Sequence, residues 1–497
     1  MKDRLAVSRW LRFGAALLFS GAAGCLGAPA DPADALKETL LRSGTIVEDL
    51  RYLCDEIGGR VTGSFGCERS VDWAIEKFRG AGIGTVRREE FQIPGVWDEI
   101  AARAEVLEPE RFPVRVTAMA FSRATPPGGV TAPVVDIGSG FEEDFRRAGE
   151  KARGAILLLH SEILDSLERL FAEYLRLPEI VRRAEAGGAA AILEASTRPR
   201  GLLYRHVARF GRLAPLPIAL AAREAFLRLT RLLEAGREVR VRLELDNRFG
   251  LNNTAWNVIA DIPGRERPEE VVLLGAHLDS WGMGTGALDN GCNVALVIDV
   301  ARRLQAMEPK PRRTVRFALF TGEEQGLWGS RGYVRAHRGE MDRHAAAVIV
   351  DLGSGRITGF SLGGRAELRP AVEEILAPVS DWSVGGHTED AFVGTDNFDF
   401  LLEGVPNLVA NQEAEPYLPD YHAESDTFDK VDLDALRRNA AVVAVLVRGL
   451  ADRPERIGPR QDRARVAELL AATGVDRQMR TFEIWEEWEK RERGRKD

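Results

Sequence analysis

Three continuous apolar runs, VVLLGAHLDS (271–280), TVRFALFTGEE (314–324) and AAAVIVDLGSG (345–355), each end in a histidine or an acid. Such runs predict strands buried on both faces, and helical patterns such as NVALVIDVARRL (293–304) lie between them. The alternation predicts an α/β fold with a mixed, largely parallel sheet and helices on both faces. In such sheets ligands bind outside the strand ends on one side. His277, Asp279, Glu323, Glu324 and Asp351, distant in sequence, are therefore delivered to one place.

At 497 residues the chain exceeds one ordinary core, and about 100–200 residues per domain implies two or three units. Pro126-Pro127-Gly128-Gly129 is the clearest punctuation before its middle. Beyond it GAILLLH, a long helix ending RRAEAGG, AAAILEA and PLPIALA read as a smaller α/β unit, residues 124–245. It is inserted between the two parts of a larger unit, 36–123 and 246–452. Residues 453–497 form a charged helical tail in which Phe482, Trp485 and Trp488 are spaced to share one helix face.

Residues 1–25, MKDRLAVSRWLRFGAALLFSGAAGC, pass from a basic segment through a short apolar core to small residues. This is the pattern of an export signal, too short to remain as a membrane span. Two routes stay open, cleavage nearby or lipidation of Cys25 as the new terminus, and only the second would attach the chain to a membrane. A periplasmic or extracellular location permits disulfides; Cys54 and Cys67 either pair or remain buried and reduced. Acids exceed bases 76 to 68, so the net charge of −8 excludes general attraction to nucleic acid or to an anionic membrane. A small molecule or peptide is the expected partner.

Past the glycine-rich SWGMGTGAL stands Asp289, and His422 lies in PDYHAESDTFDKVD. Two neutral imidazoles, His277 and His422, with three carboxylates, Asp289, Glu324 and Asp351, suit two zinc ions. Calcium or magnesium would prefer oxygen alone. Asp289 has two oxygens with which to bridge. Glu323 is then the spare acid, placed as the general base of a hydrolase. Asp279 alternates with His277 on one side of its strand and is placed to fix that ring's tautomer.

The text AHLDSW, GALDNGCNVA, FTGEEQGLWGS, VDLGSG and YHAESDTFDKVD resembles the co-catalytic di-zinc exopeptidases, among them bacterial leucyl aminopeptidases, glutamate carboxypeptidase II and the carboxypeptidase Q branch. RYLCDEIGGRVTGS and ATPPGGVTAPVVDIG extend the resemblance to that last branch, and it covers about residues 40 to 450. It implies a zinc exopeptidase fold with His277 and Asp351 on one zinc, Glu324 and His422 on the other, and Asp289 bridging. Asp279 would orient His277 and Glu323 would be the base. It implies a cis peptide at Asp289-Asn290, an insert of the protease-associated type beside the cleft, and a homodimer as one assembly. Relatives often carry Asp-His where this chain reads Asp396-Asn397, a difference that bears on substrate preference. Tyr421 is either a substrate contact or a packed aromatic.

The activity so implied is hydrolysis of short peptides, as an aminopeptidase, dipeptidase or carboxypeptidase. Non-catalytic receptor modules and glutaminyl-cyclase-like acyltransferases share the fold. Retention of all five ligands and the base argues against the first, and the insert argues against the second.

Overall fold

The computed structural model describes residues 32–207 and 209–497, so the expected leader and Cys25 lie outside the described residues. Helices Pro32–Leu41, Thr45–Tyr52 and Phe65–Gly80 precede β1 (Thr85–Glu108), β2 (Phe112–Val114) and β3 (Val116–Ala118). Then β4 (Val130–Asp136), β5 (Ile156–Leu159), β6 (Ala191–Ala195) and β7 (Ile218–Ala221) are interspersed with helices Glu142–Ala148, Leu167–Ala186 and Arg223–Glu234. β8 (Arg240–Ile262), β9 (Arg267–His277), β10 (Arg313–Phe320), β11 (His344–Ile349), β12 (Ile357–Ser361) and β13 (Asn407–Gln412) follow, with helices Cys292–Ala306, Trp328–Ala336 and Arg369–Leu376 among them. Helices Leu433–Asp452, Arg463–Thr473, Val475–Thr481 and Trp485–Glu489 close the chain.

β1 and β8 run antiparallel as one long ribbon that belongs to two sub-sheets. At one end β8 pairs with β10, and at the other with β4. The order is β12-β13-β11-β9-β10-β8-β4-β5-β6-β7-β3. β13, β11, β9 and β10 are mutually parallel, as are β4 to β7. β3 precedes the expected start of the insert at 124 yet pairs antiparallel with β7, because the ribbon carries the chain into the second sub-sheet before that point.

The apolar runs divide their side chains by strand period. Val272, Leu274 and Ala276 of β9 join the core under helices Cys292–Ala306 and Leu433–Asp452, while Val271 and Leu273 join Phe320, Tyr333 and Phe400 on the other face. Ile156 and Leu158 of β5 likewise separate from Leu157 and Leu159 into two cores. Polar anchors start the helices: Ser64 caps Phe65–Gly80 by accepting from Cys67 N at 3.2 Å, and Asp432 caps Leu433–Asp452.

One open alternative is settled and one expectation changes. Cys54 and Cys67 are both free and buried, and burial pushes the Cys54 thiol up to about 12. Phe482, Trp485 and Trp488 share one apolar cluster but not one helix, because Glu483 at φ +61° breaks the path between Val475–Thr481 and Trp485–Glu489. Among the described residues no helix is long and apolar enough to cross a membrane.

Candidate metal centre

The parallel strand ends meet as expected. His277 is the last residue of β9, Glu323 and Glu324 follow β10, and Asp351 follows β11. Asp289 sits in the tight turn Ala287–Gly291 that leads into Cys292–Ala306, and the Asp289-Asn290 peptide is cis. His422 arrives on the loop before Leu433–Asp452, at φ +57°.

The turn bearing Asp289 is held by residues far away in sequence. Asp426 accepts from Leu288 N at 2.6 Å and from Asp289 N at 3.1 Å. Fully buried Arg60 donates to the carbonyls of Leu278, Thr285 and Gly286 at 2.7, 2.7 and 2.8 Å. Gly286 is at φ +61°, and a Cβ there would lie 2.3 Å from Ser280 Cβ, so only glycine lets the loop close. His422 is held by the segment between β6 and β7: Arg205 N donates to its carbonyl at 2.9 Å, and its Nδ1 donates to the Arg205 carbonyl at 2.9 Å. This two-way clasp offsets the cost, about 1–2 kcal/mol, of the left-handed backbone.

The ligand atoms converge in two groups sharing Asp289, each able to hold a metal ion: His277, Asp289 and Asp351; and Asp289, Glu324 and His422. His277 Nε2 lies 2.8 Å from Asp351 Oδ1 and 3.1 Å from Asp289 Oδ1. His422 Nε2 lies 2.9 Å from Glu324 Oε2 and 3.2 Å from Asp289 Oδ2. Tyr417 donates its hydroxyl to Asp289 Oδ2 at 2.8 Å.

Both histidines spend Nδ1–H on a main-chain carbonyl, His277 on that of Asp279 at 3.0 Å. A neutral ring then turns its Nε2 lone pair onto carboxylate oxygens, an arrangement that a cation between them resolves. Glu324 Oε1 is buried without a hydrogen-bond partner among the described residues. The mixed imidazole and carboxylate set fits zinc.

Protonation follows the same crowding. Burial disfavours charge on His277 and His422, yet Asp351 holds the first well above its ordinary value and Glu324 brings the second up to about 9. Burial also opposes charge on Asp289, but the two imidazoles hold it well below the usual carboxylate range. Glu324 is pushed up to about 7 by burial, against His422. Burial raises Glu323 well above the usual range; His277 opposes this, and Asp351, Glu324 and Asp396 add to it.

Glu323 is not in either ligand group; it lines the cleft beside them. The Asp279 carboxylate is 3.7 Å from His277 Nδ1, too far for a hydrogen bond, so its carbonyl orients the ring. The carboxylate instead accepts from Thr62 Oγ1 at 2.9 Å and from Glu323 N at 3.3 Å, tying the His277 strand to the loop that carries Glu323. Tyr421 stacks on His422, ring centroids 3.7 Å apart, and meets Tyr174 of helix Leu167–Ala186 hydroxyl to hydroxyl at 2.9 Å. It lines the cleft. Asp396 and Asn397 are enclosed: burial pushes Asp396 up to about 8, and Asn397 donates to Asn407 Oδ1 at 2.9 Å.

Residues 257–447, which carry every one of these ligands, match the model of peptidase family M28. The chain carries a peptidase family M28 domain. It is 29% identical over 414 residues to carboxypeptidase Q of Mus musculus, covering 82% of this chain and 86% of that one. It is 27% identical over 428 residues to the probable lipoprotein aminopeptidase LpqL of Mycobacterium tuberculosis, covering 78% and 80%. The crystal structure of a peptidase M28 precursor from Shewanella amazonensis superposes with a TM-score of 0.76 at 28% identity, over 86% of this chain and 98% of that chain. The M28 domain makes the protein a hydrolase of the peptidase class.

Proposed function

We propose that the protein is an exported exopeptidase that hydrolyses short peptides with two zinc ions, one in each of the groups that share Asp289. The observation that carries this reading is the pair of interlocked donor sets with one acid, Glu323, left unligated on the cleft wall beside them. Zinc held there would polarise the scissile carbonyl and make water acidic enough to lose a proton near neutrality.

Glu323 would accept the proton of the attacking water and return it to the departing amine. Asp279 keeps Glu323 in place through its main-chain N–H, and Tyr421 borders the substrate. The unit 124–245 is read as a protease-associated domain, and its clasp on His422 gives it a direct part in shaping the centre. The exopeptidase assignment is supported by the names of the similar proteins, one a carboxypeptidase and one an aminopeptidase. Export is supported by residues 1–25.

The test is metal analysis of the purified protein together with hydrolysis of free, N-blocked and C-blocked dipeptides. About two zinc ions per chain are expected, with turnover of free dipeptides and of one blocked set. A protein that binds no zinc and cleaves none of them after zinc is added overturns the reading.

A further inference from the structure

The metal centre opens into a chamber of about 720 Å³. Away from the ligands its wall is largely apolar, with Leu170 and Phe171 from the insert, Leu327 from the loop after Glu324, and Phe392, interrupted by Glu168, Asp390 and Arg493. Volumes of about 300–1,000 Å³ hold a drug-sized ligand, here a peptide of two or three residues. A second cavity of about 820 Å³ lies alongside, with a wall of mixed charge on which Arg182, Arg212 and Arg335 stand with Glu90, Glu185 and Glu487.

Phe210, Phe482 and Ile484, together with Tyr174, Val207, Gly326 and Arg493, line both spaces and so stand between them, and the two phenylalanines are the largest apolar side chains of that divide. Phe210 of the insert meets Phe482 of the tail edge to face, centroids 5.1 Å apart at 69°. Arg209 and Glu483 form an ion pair beside them.

The tail is firmly mounted for this task. Gln478 accepts from Val393 N at 2.9 Å, Arg493 grips Asp399 at 2.9 and 2.6 Å, and buried Trp488 packs with Leu402 and Leu470. The whole segment lies outside residues 257–447 matched by the family model.

We propose that Phe482, with Phe210, is the length stop of the cleft. It confines substrates to di- and tripeptides with a large apolar side chain, and keeps longer peptides out of the second, charged cavity. This rests on the peptidase reading above. It adds a specificity-determining residue in a segment that supplies no metal ligand.

The experiment measures kcat/KM of the zinc-loaded full chain on alanine peptides of two to six residues with phenylalanine at one or the other end. Wild type should lose at least about tenfold from tripeptide to pentapeptide. Phe482→Ala, and independently Phe210→Ala, should raise the pentapeptide-to-dipeptide ratio about tenfold, whereas Phe482→Tyr should keep the wild-type ratio. A ratio separates selectivity from losses in folded protein. The same peptides titrated calorimetrically into zinc-loaded Glu323→Gln, with and without Phe482→Ala, report the stop without turnover. Equal length dependence with and without Phe482→Ala overturns the proposal. Absence of hydrolysis with length-dependent binding retained would instead overturn the catalytic reading and leave the stop supported.

Discussion

Two buried histidines near one another, His422 and His206, show what separates a candidate metal ligand from a core imidazole. Both are enclosed and both have acids nearby. His422 has Nδ1 satisfied by a carbonyl and Nε2 aimed at two carboxylate oxygens within 3.2 Å. His206 has neither ring nitrogen hydrogen-bonded among the described residues, and the Glu173 oxygen 4.0 Å away already accepts from Tyr204 at 2.8 Å. Its ring packs against Tyr174, with centroids 4.2 Å apart. The consequences are opposite: Glu324 and Asp289 bring His422 up to about 9 against its burial, while burial, then His422 and the neighbouring arginines, bring His206 down to about 3. Residue type is common to the two; oxygens free to share a cation are not.

The largest effect should come from breaking the ligand side of this contrast. His422→Ala should lower zinc content and reduce kcat/KM by about 10³-fold, the scale of several kcal/mol that a Lewis acid supplies. His206→Phe should keep both the metal content and kcat/KM within about threefold, since it removes two unsatisfied nitrogens and no ligand. Metal analysis beside a dipeptide assay checks both, and a His206→Phe protein depleted of zinc would erase the distinction.

A smaller effect sharpens the contrast within the centre itself. Glu323→Gln should lower kcat by about 10²-fold or more while zinc content stays at the wild-type level. Glu324→Gln should lose both. Equal zinc loss in the two variants would show that the acids do not divide the work between ligand and base.

Four of the five candidate ligands were legible because each ends an apolar run or follows a glycine-rich loop, and parallel strands must deliver such ends together; His422, on an irregular loop, was legible only from its acidic motif. The residues that aim them were not. Arg60, Asp426 and the main chain of Arg205 act by hydrogen bonds that each have a backbone atom on at least one side, 137 to 226 positions apart, and backbone atoms leave no trace in residue type. Asp426 carried a weak signal, an acid four residues past His422 in the same loop. For Asp279 the strand alternation placed it on the right side, yet it cannot tell carbonyl from carboxylate as the group that meets His277. The aromatic spacing of the tail predicts one helix because a single left-handed residue, Glu483, has no periodic signature.

The smallest effect concerns stability and tests the core side of the comparison. A buried histidine whose folded pKa lies near 3, below its ordinary 6.5, stays neutral in the folded state while the unfolded chain takes up a proton below pH 6.5. Its contribution is fully present above that pH and is lost as pH falls toward 3, at about 1.4 kcal/mol per unit. Glu173 and Glu194 work the other way, because burial raises both above their ordinary value, and the folded state then holds protons that the unfolded state has released. The net curve of the wild type therefore hides the histidine, and only the difference from His206→Phe isolates it. Denaturant unfolding of the two proteins between pH 6.5 and 5.5 should show the wild type losing about 1 kcal/mol relative to the variant. A difference that does not change with pH would mean that His206 is protonated in the folded state, and that what distinguishes it from His422 is not its charge.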